Sequence, residues 1–255
     1  MIPIKSLEEI EKMRYAGAVS AAVLEEVCNH VTAGISTAEL DNFAKNVMER
    51  YGVRSATFGF RSGKRVFSGY GCWSVNDEIV HGLPSERKIL QDGDIISVDL
   101  SMHVDGFVGD NTRTVAIGAI KLEVQHLIDV TYKALLAGID AARAGNTVGH
   151  ISAAIQRYGD ENKLGIVREL VGHGIGCEMH EDPQIPNYGV AGQGPVLKSG
   201  MTLAIEPMFT LGSGKISTDS DGWTIRTIDG SWAAHWEHTV LITDSLPEIL
   251  TLLKK

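Results

Sequence analysis

The sequence predicts an α+β protein in which two similar halves share one sheet. Helical periodicity occurs twice, in residues 7–52 and again in residues 120–162, and strand-forming segments follow each region. Between the two regions, Asp105-Gly106 separates two β-rich runs and is typical of a tight hairpin turn. The 28 glycines in 255 residues exceed the usual share of about 7%. This content favours a strand-rich fold over a helical bundle.

The order of the elements follows from capping signals and periodicity along the chain. Ser6 with Glu9 and Ser36 with Glu39 have the spacing of capping boxes, which begin helices. Gly52 ends the second helical pattern. The predicted elements are helices over about residues 7–30 and 36–52, short strands and a mobile loop over 58–84, a hairpin over 100–115, helices over 120–144 and 147–162, an apolar run over 164–171, a loop over 187–200, and strands near 201–210, 223–229 and 232–242.

The composition excludes several classes of protein. With 44% hydrophobic and 22% charged residues the chain is not disordered, and no composition shift marks a linker, so we expect a single domain over residues 1–255. The net charge of −9 repels phosphate backbones and anionic lipids, so we expect no direct role with DNA and no membrane partner. The absence of a long apolar run or a signal-peptide core favours the cytoplasm. Three widely spaced cysteines indicate reduced thiols.

Two acids lie on the predicted hairpin. If Asp105-Gly106 is a two-residue turn, Ser101 lies opposite Asp110, and Asp99 is diagonal to Asp110 on the same face. Such diagonal partners lie about 7–8 Å apart, so both carboxylates can bind one ion or two adjacent ions. Burying either carboxylate without a partner would be costly. For these two acids alone, a capping role or an ion pair with Arg113 is an equal alternative.

A histidine framed by glycines marks a second cluster. His173 lies within Gly-His-Gly-Ile-Gly over residues 172–176, where glycines let the backbone approach a ligand closely. The motif fits neither a dinucleotide fingerprint nor a P-loop, which needs Lys and Ser or Thr after its last Gly. His180 with the next residue is not a zincin motif, because Pro183 opposes a helix. The chain also lacks the Gly-x-Ser-x-Gly of serine hydrolases.

Two further acids lie in apolar strands, Glu206 in Ile-Glu-Pro and Glu237 in Trp-Glu-His-Thr. Either acid alone also fits an ion pair at a strand edge. Together with Asp99, Asp110 and His173 they form a set of four carboxylates and one imidazole. Such hard, oxygen-rich ligands suit manganese, iron, cobalt or zinc, and four acidic charges would balance two divalent ions.

These motifs, in this order, resemble the signature of the type I methionine aminopeptidases, which are pita-bread metallopeptidases. The resemblance covers nearly the whole chain, and His81-Gly82-Leu83-Pro84 with the short length indicates type I. The sequence shows no zinc-binding N-terminal extension of the eukaryotic type I enzymes, so we expect the bacterial kind. It implies a pita-bread fold, with two pseudo-symmetric α+β halves around a curved, mainly antiparallel sheet. It also implies removal of N-terminal methionine from nascent proteins and peptides when the second residue is small.

The resemblance implies a role for each residue of the ligand set. Asp99 would chelate one metal ion, Asp110 and Glu237 would bridge two ions, and His173 and Glu206 would complete the second site. A water acidified between the ions would attack the peptide bond. Glu206 would carry the proton of that water to the leaving amine.

Other residues match positions that contact substrate in the family. The resemblance implies that His180 hydrogen-bonds the scissile carbonyl and that His81 contacts the substrate backbone. The expected pocket for the methionine side chain consists of Phe67, Cys72, Met179 and Trp223. The remaining histidines are expected to be structural: His30, His103, His126, His150, His235 and His238.

The lid region departs from the family pattern. Residues 58–65 replace the usual sequence, and a short insertion precedes Cys72. We interpret its three basic residues as a solvated loop, with a transient contact to the ribosome as the alternative: Arg61, Lys64 and Arg65.

Two other functions stay open at this point. An X-Pro aminopeptidase or prolidase shares the ligands but has a large additional N-terminal domain, for which this sequence leaves no room. A non-catalytic pita-bread protein that binds partners would have lost metal ligands, and all five are present here. We expect a monomer whose partners are the N-termini of nascent polypeptides.

Overall fold

A nine-stranded sheet runs through both halves of the molecule in the computed structural model, which describes residues 2–253. The helices are α1 (Leu7–His30), α2 (Thr37–Arg50), α3 (Leu122–Ala141) and α4 (Val148–Glu161). The strands are β1 (Arg54–Ser55), β2 (Arg61–Ser62), β3 (Arg65–Val66), β4 (Cys72–Val75), β5 (Glu78–Val80), β6 (Ile95–Val104), β7 (Phe107–Ala116), β8 (Gly165–Ile166), β9 (Val171–Gly174), β10 (Glu181–Pro186), β11 (Thr202–Ile205), β12 (Met208–Thr210), β13 (Ile216–Thr218), β14 (Ile225–Thr227), β15 (Ala233–His235), β16 (Glu237–Leu241) and β17 (Glu248–Ile249).

The large sheet has the strand order β1-β6-β7-β16-β11-β9-β10, with β4 also beside β6 and β17 also beside β16. Its strand pairs are antiparallel, as the sequence predicted. Three small sheets surround it, in the orders β15-β12-β8, β13-β14-β5 and β2-β3. The short strands expected over residues 58–84 are therefore present as β2 to β5.

Each half of the sheet is covered by one pair of helices. Helices α1 and α2 pack on the side of β6 and β7, in a buried cluster that includes Met13, Leu40 and Leu100. Helices α3 and α4 pack in a second cluster, which includes Leu127 and Leu203. The two predicted α+β halves around one sheet are confirmed, whereas the single-domain interpretation stays a prediction.

Both predicted capping boxes are present. The Ser6 hydroxyl accepts from the Glu9 N–H at 3.3 Å, and the Glu9 carboxylate accepts from the Ser6 N–H at 2.7 Å. Ser36 and Glu39 repeat this exchange at 3.2 and 2.8 Å. Each box satisfies N–H groups that have no partner within the first turn, so α1 and α2 begin where the sequence predicted.

The hairpin of β6 and β7 has the predicted turn and register. Asp105 and Gly106 have φ of +48° and +83°, and a type I′ turn requires positive φ at both positions. Ser101 lies opposite Asp110, so Asp99 is diagonal to Asp110 on the same face of the sheet. Each strand is ten residues long, so the hairpin extends beyond the predicted segment at the β6 end.

Two segments predicted as single strands are each divided beside an acid. The segment 201–210 forms β11 in the large sheet and β12 in a small sheet, separated by Glu206-Pro207. Proline has no N–H for the ladder, so pairing stops there. The segment 232–242 divides at Trp236 into β15 and β16. As a result, Glu206 directly follows β11, and Glu237 is the first residue of β16.

The cysteines agree with the composition. Cys28, Cys72 and Cys177 are free thiols, as predicted.

Within residues 2–253, no helix is both long enough and apolar enough to cross a membrane. The cytoplasmic location and the monomeric state stay predictions.

Helix α1 approaches β7 closely at Gly109. A Cβ at this position would lie 2.5 Å from the Ala16 carbonyl oxygen and 2.8 Å from the Ser20 Cβ. We expect Gly109→Ala to lower the free energy of unfolding by about 1–3 kcal/mol, because the helix backbone would have to move away. Urea unfolding measures the change. The exposed variant Lys64→Ala should stay within about 0.5 kcal/mol of the parent, and equal stability of both variants would contradict the tight contact.

Candidate metal centre and its cavity

A cavity of about 180 Å³ is lined by every residue that the sequence singled out as a site residue. These residues are the ligand candidates Asp99, Asp110, His173, Glu206 and Glu237, the histidines His81 and His180, and the pocket residues Phe67, Cys72, Met179 and Trp223. The fold therefore brings together side chains that are up to 170 positions apart in the chain.

The five ligand candidates come from five neighbouring strands of the large sheet. Asp99 lies on β6, Asp110 on β7, Glu237 on β16 and His173 on β9, while Glu206 directly follows β11. The order β6-β7-β16-β11-β9 is continuous in the sheet. The candidates thus form a row across the sheet, with Asp110 and Glu237 on its inner strands.

Three of these side chains are close enough to hold one ion together. One carboxylate oxygen each from Asp110 and Glu237 and one ring nitrogen of His173 all lie within 4.8 Å of one another. The His173 Nε2 is also 3.4 Å from the Glu206 Oε1. All three residues are at most 9% exposed, so solvent screens their charges only weakly.

Hydroxyl groups orient the buried acids. Ser101 Oγ donates to the Asp110 Oδ1 at 2.7 Å, and Thr112 Oγ1 donates to the Glu237 Oε2 at 2.8 Å. The second oxygen of Glu237, Oε1, is buried and has no hydrogen-bond partner. A buried carboxylate oxygen without a donor is the kind of ligand that a cation can use.

The alternative ion pair with Arg113 does not form. Arg113 bonds the Glu25 carboxylate of α1 at 2.7 Å. Because side chains alternate along a strand, Arg113 on β7 points away from the face that carries Asp110. The acids of the hairpin are therefore available to the cavity.

Burial raises the pKa of all four carboxyl groups. It raises the pKa of Asp99 to about 6, with repulsion from Asp110 as the second cause. It raises the pKa of Asp110 to about 6 and that of Glu206 to about 8. The pKa of Glu237 lies well above its usual range because of burial and the three other acids. Ionised carboxylates in this arrangement need compensating positive charge, which divalent cations supply.

The glycines around His173 are required by close contacts. A Cβ at Gly172 would lie 2.4 Å from the Ala204 carbonyl oxygen, and one at Gly174 would lie 2.0 Å from that of Asp182. Strand β9 lies between β11 and β10, so its backbone has no room for side chains at these positions. The Gly-His-Gly pattern therefore lets the backbone of β9 approach both neighbouring strands closely, while His173 between the glycines lines the cavity.

Two more histidines lie at the cavity. His81 has φ of +58°, a strained conformation for this residue, directly after β5. Loss of hydration and a neighbouring imidazole, that of His235, lower the pKa of His81 to about 4. Loss of hydration and the imidazoles of His173 and His81 lower the pKa of His180 to about 4. Both rings are therefore neutral at pH 7, and each carries one N–H that can donate to a carbonyl oxygen.

Aromatic rings form the apolar side of the cavity. Phe67 meets Trp223 edge to face with ring centroids 5.3 Å apart. Phe60, which the sequence analysis did not single out, lies 6.4 Å from Trp223 and 5.8 Å from His180. An aromatic residue inside the divergent lid was the signal that could have identified it.

The basic lid residues are exposed, as expected of a solvated loop, but they belong to a short hairpin rather than to an irregular loop. Arg61, Lys64 and Arg65 belong to the two-stranded sheet of β2 and β3 and its turn. Arg65 donates to the Gly222 carbonyl at 2.9 Å, which connects the lid to the segment before Trp223.

The expectation that His235 is purely structural needs correction. Its side chain lines the cavity, and its Nε2 lies 3.6 Å from the Glu206 Oε2. The spacing of two between His235 and Glu237 was a signal that both point to one face. The adjacent division of the strand at Trp236 was not visible in the sequence.

Comparison with known proteins identifies the family of the chain. The chain matches the model of metallopeptidase family M24 over residues 11–244. The methionine aminopeptidase of Clostridium acetobutylicum is 45% identical over 258 residues, covering 99% of each chain. Methionine aminopeptidase 1 of Bacillus subtilis is 43% identical over 251 residues, covering 98% of this chain and 99% of the relative.

Solved structures show the same relationship. The crystal structure of methionine aminopeptidase from Thermotoga maritima has a TM-score of 0.93 at 41% identity, covering 98% of this chain and 99% of that one. Xaa-Pro dipeptidase from Bacillus anthracis shares the fold, with a TM-score of 0.76 at 23% identity over 99% of this chain and 62% of that one. The pita-bread fold is therefore confirmed.

The fold and the site define a metal-dependent peptidase, and the chain belongs to metallopeptidase family M24. Dependence on divalent metal follows from this membership and from the donor set. The resemblance to the methionine aminopeptidases is confirmed over the full length of the curated relatives.

Proposed function

We propose that the chain is a methionine aminopeptidase that uses two divalent metal ions to remove N-terminal methionine. The observation that carries this proposal is the single cavity that combines five candidate metal ligands with an aromatic pocket. An unbranched thioether fits such a pocket, because sulfur makes favourable contacts with ring edges. Phe60, Phe67 and Trp223 provide those rings.

The order of the strands supports a division of the ligands between two ions. Asp110 and Glu237 lie on two adjacent inner strands of the row and would be shared by both ions. Asp99, on the outer side of Asp110, would serve one ion. Glu206 and His173, whose Oε1 and Nε2 lie 3.4 Å apart, would serve the other.

The proposed chemistry is peptide hydrolysis by water. Divalent ions at these ligands supply Lewis acidity, which lowers the pKa of water and polarises the peptide carbonyl. Glu206 accepts the proton of the attacking water and passes it to the leaving amine. His180 donates its N–H to the scissile carbonyl oxygen, and His81 binds the substrate backbone.

The substrates are the N-termini of nascent proteins and of peptides in which a small residue follows methionine. Iron, manganese, cobalt and zinc all suit the donor set. Action in the cytoplasm as a monomer and transient contact of the basic lid hairpin with the ribosome belong to the same hypothesis.

Reconstitution with metal tests the proposed function. We expect chelator-treated protein to be inactive and to regain hydrolysis of Met-Ala-Ser with one of the four metals, at two ions per chain by elemental analysis. Met-Leu-Ser should be cleaved about 100-fold more slowly, because a displacement of about 1 Å at the scissile bond can have that effect.

Two results would contradict the proposal in different ways. Preferential cleavage of Ala-Pro peptides, with Met-Ala-Ser intact, would indicate an X-Pro peptidase. Binding of two ions without cleavage of any peptide would indicate a non-catalytic binding protein.

A further inference from the structure

His235 is a buried imidazole without a hydrogen-bond partner. His235 is only 2% exposed, and neither ring nitrogen, Nδ1 or Nε2, has a hydrogen-bond partner among the described residues. Leaving a buried polar group unsatisfied costs about 1–3 kcal/mol. Native structures tolerate such groups mainly where they have a function.

The backbone of His235 is fixed by hydrogen bonds to Thr114 and by pairing with β12, so its side chain starts from a defined position at the cavity. The Thr114 hydroxyl accepts from the His235 N–H at 3.0 Å and donates to its carbonyl oxygen at 2.7 Å. On the other side, β15 pairs His235 with Met208 of β12, two residues after Glu206. The fold therefore presents this ring to the acid.

The ring faces one particular oxygen of Glu206. His235 Nε2 is 3.6 Å from Oε2, while His173 Nε2 is 3.4 Å from Oε1. Each oxygen of this carboxylate therefore faces a different imidazole. His173 is one of the three residues whose donor atoms lie within 4.8 Å of one another, so Oε1 is the oxygen on the side of the candidate ion site.

We propose that His235 is a positioning residue, which donates its Nε2–H to the Glu206 Oε2 and so holds this carboxylate in its working orientation. The present separation is longer than an N–H···O bond, which spans about 2.7–3.2 Å, so a small side-chain rotation would have to close it. The bond would leave Oε1, which faces His173, available to a cation. The inference rests on the proposed function, because it concerns how Glu206 accepts and passes on its proton.

Three variants test this role. His235→Leu removes the donor, and His235→Gln retains an N–H at a similar reach. His238→Leu is the matched control, because it removes a neighbouring histidine on β16 whose Nδ1 instead contacts the Thr251 hydroxyl at 2.9 Å.

We expect His235→Leu to lower kcat for Met-Ala-Ser by about 10- to 100-fold, as is typical when a residue that orients a metal ligand is lost. KM should stay within about twofold of the parent value, because the contacts that bind the substrate in its ground state are unchanged. His235→Gln should recover most of the rate, and His238→Leu should match the parent. The visible absorption spectrum of the cobalt-loaded protein should change in His235→Leu and return in His235→Gln.

Several outcomes would overturn the inference while leaving the proposed function intact. Normal kcat in His235→Leu would do so, and so would equal losses in the Leu and Gln variants. Loss of a bound ion at saturating metal in both the Leu and the Gln variants would make His235 a ligand instead. If His235→Leu does not fold, His235→Asn replaces it, because its shorter amide cannot reach Glu206. An inactive parent with two bound ions would instead contradict the proposed function.

Discussion

Glu237→Gln is expected to abolish hydrolysis of Met-Ala-Ser, with kcat/KM reduced by at least about 1000-fold, which corresponds to about 4 kcal/mol. Glu237 lies on an inner strand of the ligand row and is proposed to bridge both ions. The substitution turns the unpartnered Oε1 into an amide oxygen, which is a poorer ligand, or replaces it by an N–H group. The Thr112 hydroxyl can still donate to the amide oxygen, so the fold should be retained.

Elemental analysis and the unfolding midpoint complete this test. We expect fewer than two ions per chain and an unfolding midpoint close to that of the metal-free parent. Glu161→Gln, which makes the same change of charge at an exposed site at the end of α4, should keep both ions and full activity. Two tightly bound ions with near-normal turnover in Glu237→Gln would refute the bridging role.

His180→Ala is expected to lower kcat by about 10²–10³-fold while KM changes much less, the pattern of a lost donor to the oxyanion. The ring of His180 lies 4.5 Å from that of His173, so it is next to the proposed metal site. Its depressed pKa keeps it neutral at pH 7, which leaves one N–H for the substrate carbonyl. Steady-state kinetics on Met-Ala-Ser measure the effect.

Metal content distinguishes this role from that of a ligand. His180→Ala should still bind two ions per chain, and His126→Ala, at an exposed position on α3, should behave as the parent. A His180→Ala protein that loses metal together with activity would make His180 a ligand and our assignment wrong.

The sequence by itself determined the features that depend on neighbours along the chain. The capping boxes at Ser6 and Ser36 involve residues three apart, so local spacing was enough to locate two helix starts. The Asp105-Gly106 turn fixed the register of the hairpin and put two acids on one face. The donor chemistry of the five ligand candidates was likewise readable, because it depends only on residue type and order.

Tertiary structure alone decided how these pieces meet. The contact of Thr112 with Glu237 joins residues 125 positions apart, and no local rule sets that pairing. Three other features depend on which sheet each segment joins. They are the division of two predicted strands, the position of Phe60 in the pocket and the orientation of the His235 ring toward Glu206. The physical reason is that strand pairing between distant segments is selected by burial of the whole core, whereas turns and caps are selected by bonds within a few residues.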